Sequence, residues 1–229
     1  MSALGTPRLH LRRTTSTNDR ARALAAGGAP HGTLVTAAAQ TAGRGRQGRA
    51  WSAPPGQALL MSLVLHRPRR LLPLAAAVAV AETAGPAAAI KWPNDVLVDG
   101  RKVAGILAEG RPQEGWAVLG VGLNVAVRLD DLPPELRDTA ATLGLEPTDV
   151  EAVLERLLGA LERALELDDD ALLDAWRARD ALRGREIAWA AGHGRAAGVD
   201  GDGRLVVELP DGGRTALEAG EVHLRASAA

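Results

Sequence analysis

The sequence predicts an α+β protein with a main domain over residues 1–182 and a small β domain over residues 183–229. Before residue 182, apolar segments of strand length alternate with helical stretches. After Arg183, short apolar segments are separated by Gly and Asp-Gly turns, the pattern of a small antiparallel meander. No internal repeat or disordered linker is apparent between the two parts. We therefore expect two adjoining folded domains.

The main domain is expected to begin with a helix that starts near Thr17 and ends at Gly27-Gly28, because Asn and Asp favour helix starts and Gly favours helix ends. A mostly apolar helix is predicted over residues 71–84. Val and Leu at three- and four-residue spacing predict helical structure over residues 148–182. Asp99-Gly100 indicates a tight hairpin turn. The predicted strands cover residues 32–38, 58–65, 88–91, 96–98, 103–109 and 117–121.

The second domain contains five short apolar segments and several turns. Their number and the Asp-Gly turns between them favour a small barrel of the SH3 type. The segments cover residues 187–190, 196–199, 205–209, 215–217 and 222–224.

Composition narrows the class of protein. The chain has no Cys, which excludes disulfides, thiolate metal sites and cysteine nucleophiles. No apolar run approaches the ~20 residues that a membrane-spanning helix needs, and the amino-terminal segment does not resemble a signal peptide. We expect a soluble, cytoplasmic protein without a membrane partner. Residues 20–81 hold eight arginines and no acidic residue, although the net charge is −1, and this asymmetry predicts an anionic ligand.

Lysine and asparagine are rare, and their positions are informative. Lys91 and Lys102 are the only lysines among 27 basic residues, and the three asparagines are Asn18, Asn94 and Asn124. An ammonium is a compact point charge, whereas a guanidinium is a planar fork, so the two are not interchangeable. Both lysines and Asn94 fall in one short segment, which we interpret as a functional site.

The loop from Gly43 to Arg49 contains three arginines among three glycines. Its glycines match a dinucleotide-binding pattern, but Pro54-Pro55 blocks the helix that this pattern requires, and no acidic residue follows before Glu82. Guanidinium groups on a Gly-rich backbone are suited to close over carboxylate or phosphate oxygens. A solvated basic surface loop is the alternative.

The segment from Lys91 to Glu109 is predicted to form a strand, a Pro turn, a hairpin and a second strand. Lys102 opens the second, apolar strand, where its ammonium could neutralise a carboxylate that attacks a phosphate. The alternative is a strand-end lysine whose amine reaches solvent. Asp95 and Asn124 could equally stabilise turns.

Five motifs together resemble the biotin protein ligase family, in its order and at its spacing. They are Ser16-Thr17-Asn18, QTAGRGRQGRAW at residues 40–51, KWPND at 91–95, RKVAGILAE at 101–109 and GVGLN at 120–124. The resemblance extends from about residue 14 to Arg225. It implies a mixed β-sheet flanked by helices, followed by a small SH3-like β-barrel. It also implies formation of biotinyl-adenylate from biotin and ATP, with Mg²⁺, and transfer of biotin to a lysine of a biotin carboxyl carrier protein domain of a biotin-dependent carboxylase.

The resemblance also implies roles for individual residues. Lys102 and Arg46 are the catalytic candidates, and no metal ligand from the protein is expected. The biotin-binding candidates are Ser16, Thr17, Asn18, Gln40, Arg44, Gly45, Arg46, Lys102 and Gly105. The candidates for binding ATP and the adenylate are Arg44, Arg46, Arg49, Trp51, Lys91, Asn94, Asp95 and Asn124. Arg225 is a further candidate for ATP or carrier binding.

Two departures from the family pattern are visible. Ser16 lies so close to the amino terminus that we expect no DNA-binding domain and no DNA partner, while a homodimer is left open. The chain has no Phe or Tyr, and residues 127–143 contain no aromatic side chain that could cover adenine, so Trp51 is the best candidate.

The sequence argues against three other functions. A lipoate or octanoate protein ligase shares the related fold, but its Arg/Ser/Gly/His motif is not found. An RNA-binding module would need aromatic stacking platforms, and aromatics make up only 2% of the chain. A non-catalytic biotin-binding protein would not need Lys102 and Arg46.

Overall fold

The computed structural model describes residues 4–218, 220 and 222–224, so Arg225 lies outside the described residues. The predicted fold class is confirmed: a seven-stranded mixed sheet carries helices on its faces, and a small antiparallel sheet follows. The boundary between the domains at residue 182 stays a prediction.

The main sheet has the order β1-β2-β5-β9-β8-β7-β6. The pair β1–β2 is parallel, because the helix α1 (Thr17–Ala26) lies between the two strands in sequence, and all other neighbours are antiparallel. The strands β3 and β4 pair only with each other, as a short hairpin. In chain order the strands are β1 (Arg8–Leu11), β2 (Leu34–Ala37), β3 (Gly43–Arg44), β4 (Ala50–Trp51), β5 (Ala58–His66), β6 (Ala89–Lys91), β7 (Asp95–Val98), β8 (Arg101–Arg111) and β9 (Trp116–Asn124).

The two faces of the sheet carry different partners because side chains alternate along each strand. On β5, Met61 and Leu63 belong to the main core, together with the helices that cover one face. Ser62 and Val64 point to the other face, where α1 packs. The remaining helices are α2 (Leu72–Ala84), α3 (Pro134–Arg137), α4 (Val150–Glu166) and α5 (Asp169–Arg177). The α1 face keeps the open space in which the candidate site lies.

Several element boundaries differ from the sequence-based expectation. The predicted helical stretch over residues 148–182 is two helices, because Leu167 is extended and Asp168 caps α5 by accepting a hydrogen bond from Ala171 N at 2.8 Å. Strand β9 runs to Asn124 rather than 121. The edge strand β1, the β3–β4 hairpin and the short helix α3 were not predicted.

The carboxyl-terminal sheet is antiparallel and packs against the main domain. Its order is β13-β12-β11-β10-β14. Ile187, Leu205 and Val207 belong to the same hydrophobic cluster as the main core, and Trp92 Nε1 donates to Gly203 O at 3.1 Å. Its strands are β10 (Glu186–Trp189), β11 (Gly192–Val199), β12 (Leu205–Glu208), β13 (Arg214–Leu217) and β14 (His223–Leu224). In the described part of the chain, no helix is both long enough and apolar enough to cross a membrane.

Candidate active site

One cavity of about 380 Å³ lies between the β3–β4 hairpin and the α1 face of the sheet. The structure places every candidate residue of the described chain in its lining, although these residues come from widely separated parts of the sequence. They are Ser16, Thr17, Asn18, Gln40, Arg44, Gly45, Arg46, Arg49, Trp51, Lys91, Asn94, Asp95, Lys102, Gly105 and Asn124. Which ligand each one touches stays a prediction.

Glycines on β8 and β9 make room for the side chains above the sheet. A Cβ at Gly120 would lie 2.9 Å from Asn18 Cγ, and a Cβ at Gly122 would lie 2.8 Å from Trp51 Cζ2. Gly105 pairs with Gly122, and its Cβ would lie 3.0 Å from the same indole. Real Cβ atoms are essentially never found closer than 3.0 Å to such neighbours. Larger residues here would therefore displace Asn18 or Trp51.

Hydroxyl and amide groups cluster beside Gly120. Thr17 donates to Gln40 Oε1 from its backbone N at 2.7 Å and from its hydroxyl at 3.1 Å. Ser62 Oγ is fully buried and lies 2.8 Å from Thr17 Oγ1 and 2.6 Å from Asn18 Oδ1. These contacts use the oxygen of Gln40, so its Nε2 donor is available to a ligand. The cluster suits a neutral ligand with both donors and acceptors.

Lys102 lines the cavity next to Gly105. Its Nζ is 2.6 Å from Asp95 Oδ1 and 5.7 Å from the centre of the Trp51 ring. The carboxylate and the aromatic face both stabilise the charged ammonium. The side chain lines the cavity and is 34% exposed, so its role in binding stays a prediction.

The arginine loop is a folded hairpin. Gly43 pairs with Trp51, and a Cβ at Gly43 would overlap the Trp51 carbonyl, so only glycine fits there. Burial lowers the pKa of the Arg46 guanidinium below its ordinary value; the Arg49 charge adds to this shift and Asp95 opposes it. The partly buried Arg46 guanidinium is repelled by the exposed Arg49 guanidinium, so an anion bound between them would be favoured.

Arg44 points away from this pair. Its guanidinium donates to Asp19 Oδ1 and to Glu109 Oε1, both at 2.8 Å. Among the described residues, its two carboxylate partners come from α1 and β8.

Asn94 and Asn124, which follow the loop in sequence, differ in the hydrogen bonds that their side chains make. Asn94 Nδ2 donates to Ile106 O at 3.0 Å, and Ile106 N donates to the backbone carbonyl of Asn94 at 2.9 Å, so the side chain and backbone of Asn94 together tie the turn before β7 to β8. Asn124 Nδ2 donates to Ala141 O at 2.9 Å, but Asn124 Oδ1 is buried without a partner among the described residues. An unsatisfied buried acceptor costs about 1–3 kcal/mol. Asn124 Oδ1 is therefore suited to accept a hydrogen bond from a ligand N–H.

The cavity wall beside Asn124 is apolar. Leu132, Leu136 and Ala140 line it, and Leu132 and Ala140 pack in the same cluster as Trp51. These aliphatic side chains supply the surface in residues 127–143 where no aromatic residue is present.

Sequence reasoning missed several residues that complete the site. Ser62 is the only polar residue between Ala58 and Leu65 in an otherwise apolar strand, and this break was the available signal. Asp19 stood at the predicted helix start and Glu109 in a quoted motif, but their pairing with Arg44 gave no signal, because Arg44 is distant in sequence. Gly120 and Gly122 stood in a quoted motif but were not assigned a role. In the described residues, no group of three or more His, Asp or Glu side chains could hold a metal ion.

Comparison with known families matches both parts of the chain. The Biotin/lipoate A/B protein ligase family matches residues 10–125, and the Biotin protein ligase C terminal domain matches residues 183–225. A biotin–[acetyl-CoA-carboxylase] ligase of Mycobacterium tuberculosis is 37% identical, with 93% of this chain and 87% of that protein covered. The chain belongs to the biotin protein ligase family.

Other relatives and a solved structure agree with this membership. The Paracoccus denitrificans biotin–[acetyl-CoA-carboxylase] ligase is 37% identical, with 93% of this chain and 98% of that protein covered. The bifunctional ligase/repressor BirA of Bacillus subtilis is 41% identical, but the match covers only 50% of its length. The Aquifex aeolicus biotin protein ligase, solved with biotin and ATP, superposes with a TM-score of 0.78 at 27% identity and covers 97% of this chain and 100% of that chain. The resemblance inferred from the five motifs is confirmed.

Proposed function

We propose that this chain is an ATP-dependent biotin protein ligase that forms biotinyl-5′-adenylate and transfers biotin to a specific lysine of a biotin carboxyl carrier protein. The observation that carries the proposal is the order of groups along β9. The hydroxyl and amide cluster lies over Gly120. Trp51 lies over Gly122, and Lys102 lies beside Gly105, which pairs with Gly122. Asn124 Oδ1, which has no partner among the described residues, and the apolar wall come next. At about 3.3 Å per residue, this order covers roughly 13 Å.

Each part of an acyl adenylate matches one group of residues along β9. The ureido group of biotin is neutral and both donates and accepts, as do Ser16, Thr17 and Gln40. The carboxylate and the α-phosphate are anionic and match Lys102, Arg46 and Arg49. Adenine has an amino group and a flat apolar surface, which match Asn124 Oδ1 and the wall formed by Leu132 and Leu136.

In the first reaction, the biotin carboxylate oxygen attacks the α-phosphorus of ATP and pyrophosphate leaves. Two anions must approach each other, so the protein has to neutralise charge and fix their orientation. Lys102 is expected to leave Asp95 and to contact both the carboxylate and the α-phosphate. No protein side chain has to act as a covalent nucleophile.

In the second reaction, the carrier's lysine amine attacks the acyl carbon of the adenylate and AMP leaves. Mg²⁺ is expected to arrive with the ATP phosphates, whose charge it reduces, because the described residues offer no metal cluster. We place the reaction in the cytoplasm, where ATP is available. The absence of DNA binding and the oligomeric state stay predictions.

Exchange of labelled pyrophosphate into ATP tests the first reaction. We expect exchange with biotin and not with lipoate or octanoate, and a loss of about 10²- to 10³-fold in Lys102→Ala. The control is Arg101→Ala, which removes the neighbouring exposed cation outside the cavity lining and should exchange like the wild type.

Exchange with lipoate instead of biotin would assign the chain to lipoate ligases. Folded protein that binds biotin but exchanges with none of the three acids would contradict the proposed enzyme and leave a binding protein.

A further inference from the structure

Four charged side chains form a cluster at one edge of the cavity, which we call the latch cluster: Asp19, Arg22, Arg44 and Glu109. Arg44 bonds Asp19 and Glu109 at 2.8 Å each. Arg22 also pairs with Asp19, and its Nη1 lies 3.4 Å from Glu109 Oε1. Two acids and two arginines make the cluster neutral. Three of its members lie on α1 and β8, and only Arg44 lies on the arginine loop.

Arg22 gives the acids a permanent partner. It lies on α1, three residues after Asp19, and pairs with both carboxylates without involving the loop. If Arg44 left, Arg22 would still pair with Asp19 and Glu109 and hold them in place. Asp19 and Glu109 therefore stay in place to bind Arg44 whenever the loop closes.

Glu109 also connects the cluster to the polar end of the cavity. Its second oxygen, Oε2, accepts from Asn18 Nδ2 at 2.8 Å. The oxygen of Asn18 lies 2.6 Å from Ser62 Oγ, and Ser62 in turn contacts Thr17. One carboxylate thus orients the side chain of Asn18 with one oxygen and holds the loop with the other.

We propose that Arg44 is a latch rather than a substrate ligand, and that Asp19 and Glu109 are positioning residues that hold the arginine loop closed over the cavity. In the closed loop, Arg46 and Arg49 line the same cavity as Lys102, and the loop covers the reaction product. That last consequence rests on the proposed function, whereas the closure itself is a property of the protein without substrates.

This proposal makes a prediction opposite to that of a substrate ligand. If Arg44 bound the phosphate, its two carboxylates would compete with ATP, and their removal would lower the KM for ATP. If Arg44 is a latch, removing the carboxylates opens the loop and weakens retention of the adenylate. Glu109→Gln and Asp19→Asn keep the shape of each side chain and remove only its charge.

Limited trypsin digestion measures closure without any substrate. Trypsin needs flexible backbone, so we expect cleavage after Arg46 and Arg49 to follow opening of the loop, and mass spectrometry identifies these cuts. We expect cleavage there to be about three- to fivefold faster in Glu109→Gln and in Asp19→Asn, since each loses a partly exposed ion pair. The difference should shrink in high salt, which screens exposed charges.

The matched control is Glu151→Gln, which removes the carboxylate that pairs with Arg8 outside the cavity lining. It should leave the loop cleavage rate unchanged. Equal cleavage rates in the wild type and both latch variants, with equal melting temperatures, would overturn the proposal.

Release of preformed, labelled biotinyl-adenylate measures the consequence for catalysis. We expect release to be about three- to fivefold faster in the two variants. A lowered KM for ATP with unchanged release would instead identify Arg44 as a ligand. If the wild type fails to exchange pyrophosphate, the proposed function fails, and the trypsin experiment still decides whether the latch exists.

Discussion

At the scale of single residues, the shape of the cavity depends on the absence of a side chain at Gly122. The Cβ of Gly122→Ala would lie 2.8 Å from two atoms of the Trp51 indole, which must then move. We expect the KM for biotin and ATP to rise about tenfold, because the indole also fixes the surroundings of Lys102. Steady-state kinetics and indole fluorescence check this prediction.

The matched control for Gly122→Ala is Gly159→Ala in α4. Its nearest neighbour atom would lie at 3.5 Å, an ordinary contact. An unchanged KM is expected there, with a slight gain in stability of about 0.5–1 kcal/mol. Unchanged kinetics in Gly122→Ala would contradict the assigned role of the glycine.

The rarity of lysine and asparagine in this chain pointed to several residues of the candidate site. Lys91, Lys102 and Asn124 stood out because their residue types are so rare in this chain, and all three line the cavity. Glu109 could not be predicted in this way, because acidic residues are common and its partner Asn18 is 91 positions away. Contacts between distant segments depend on how the strands are ordered, which no local pattern contains.

At the scale of elements, the start of α5 depends on one side chain. Asp168 accepts a hydrogen bond from Ala171 N and thereby satisfies a free amide of the first turn. We expect Asp168→Ala to lower the free energy of unfolding by about 1 kcal/mol. Urea denaturation measures it, with the exposed Asp170→Ala as the control; an equal loss in both would contradict the capping role.

The elements that were predicted correctly are those with long periodic patterns. The helix α2 and strand β5 were placed to within one residue at each end. The break between α4 and α5 was missed, because apolar spacing continues through Leu165 and Leu172 even though the backbone at Leu167 is extended. Strands β3 and β4 have two residues each and cannot show a period.

At the scale of the whole molecule, Asp180 lies where the two domains meet. It forms an isolated bridge with Ile90 of the main sheet, and it is the nearest group, at 3.9 Å, to a Cβ built on Gly198 of the second sheet. Its Oδ2 is buried without a partner among the described residues. Burial raises the pKa of this carboxyl above 3.8, although the backbone amides of Leu182 and Arg183 oppose the shift.

A raised carboxyl pKa means that the folded state disfavours the charged form. Below pH 3.8 both states are protonated and no penalty exists; as pH rises through the raised folded pKa, the penalty grows to its full size. We expect Asp180→Asn, which keeps an acceptor for Leu182 N, to raise the melting temperature at pH 7 and to lose this gain near pH 3.8. The exposed Asp174→Asn is the control, and a gain independent of pH would contradict the assignment.

The position of the two lysines has a consequence for self-modification. An acyl adenylate acylates accessible, uncharged primary amines, and this chain carries side-chain amines only at Lys91 and Lys102, both in the lining of the cavity. A reactive intermediate that escapes into solvent therefore finds no lysine on the outside of its own enzyme. Guanidinium groups attract anions without being acylated, so outside the cavity no lysine side chain can be modified by the protein's own product.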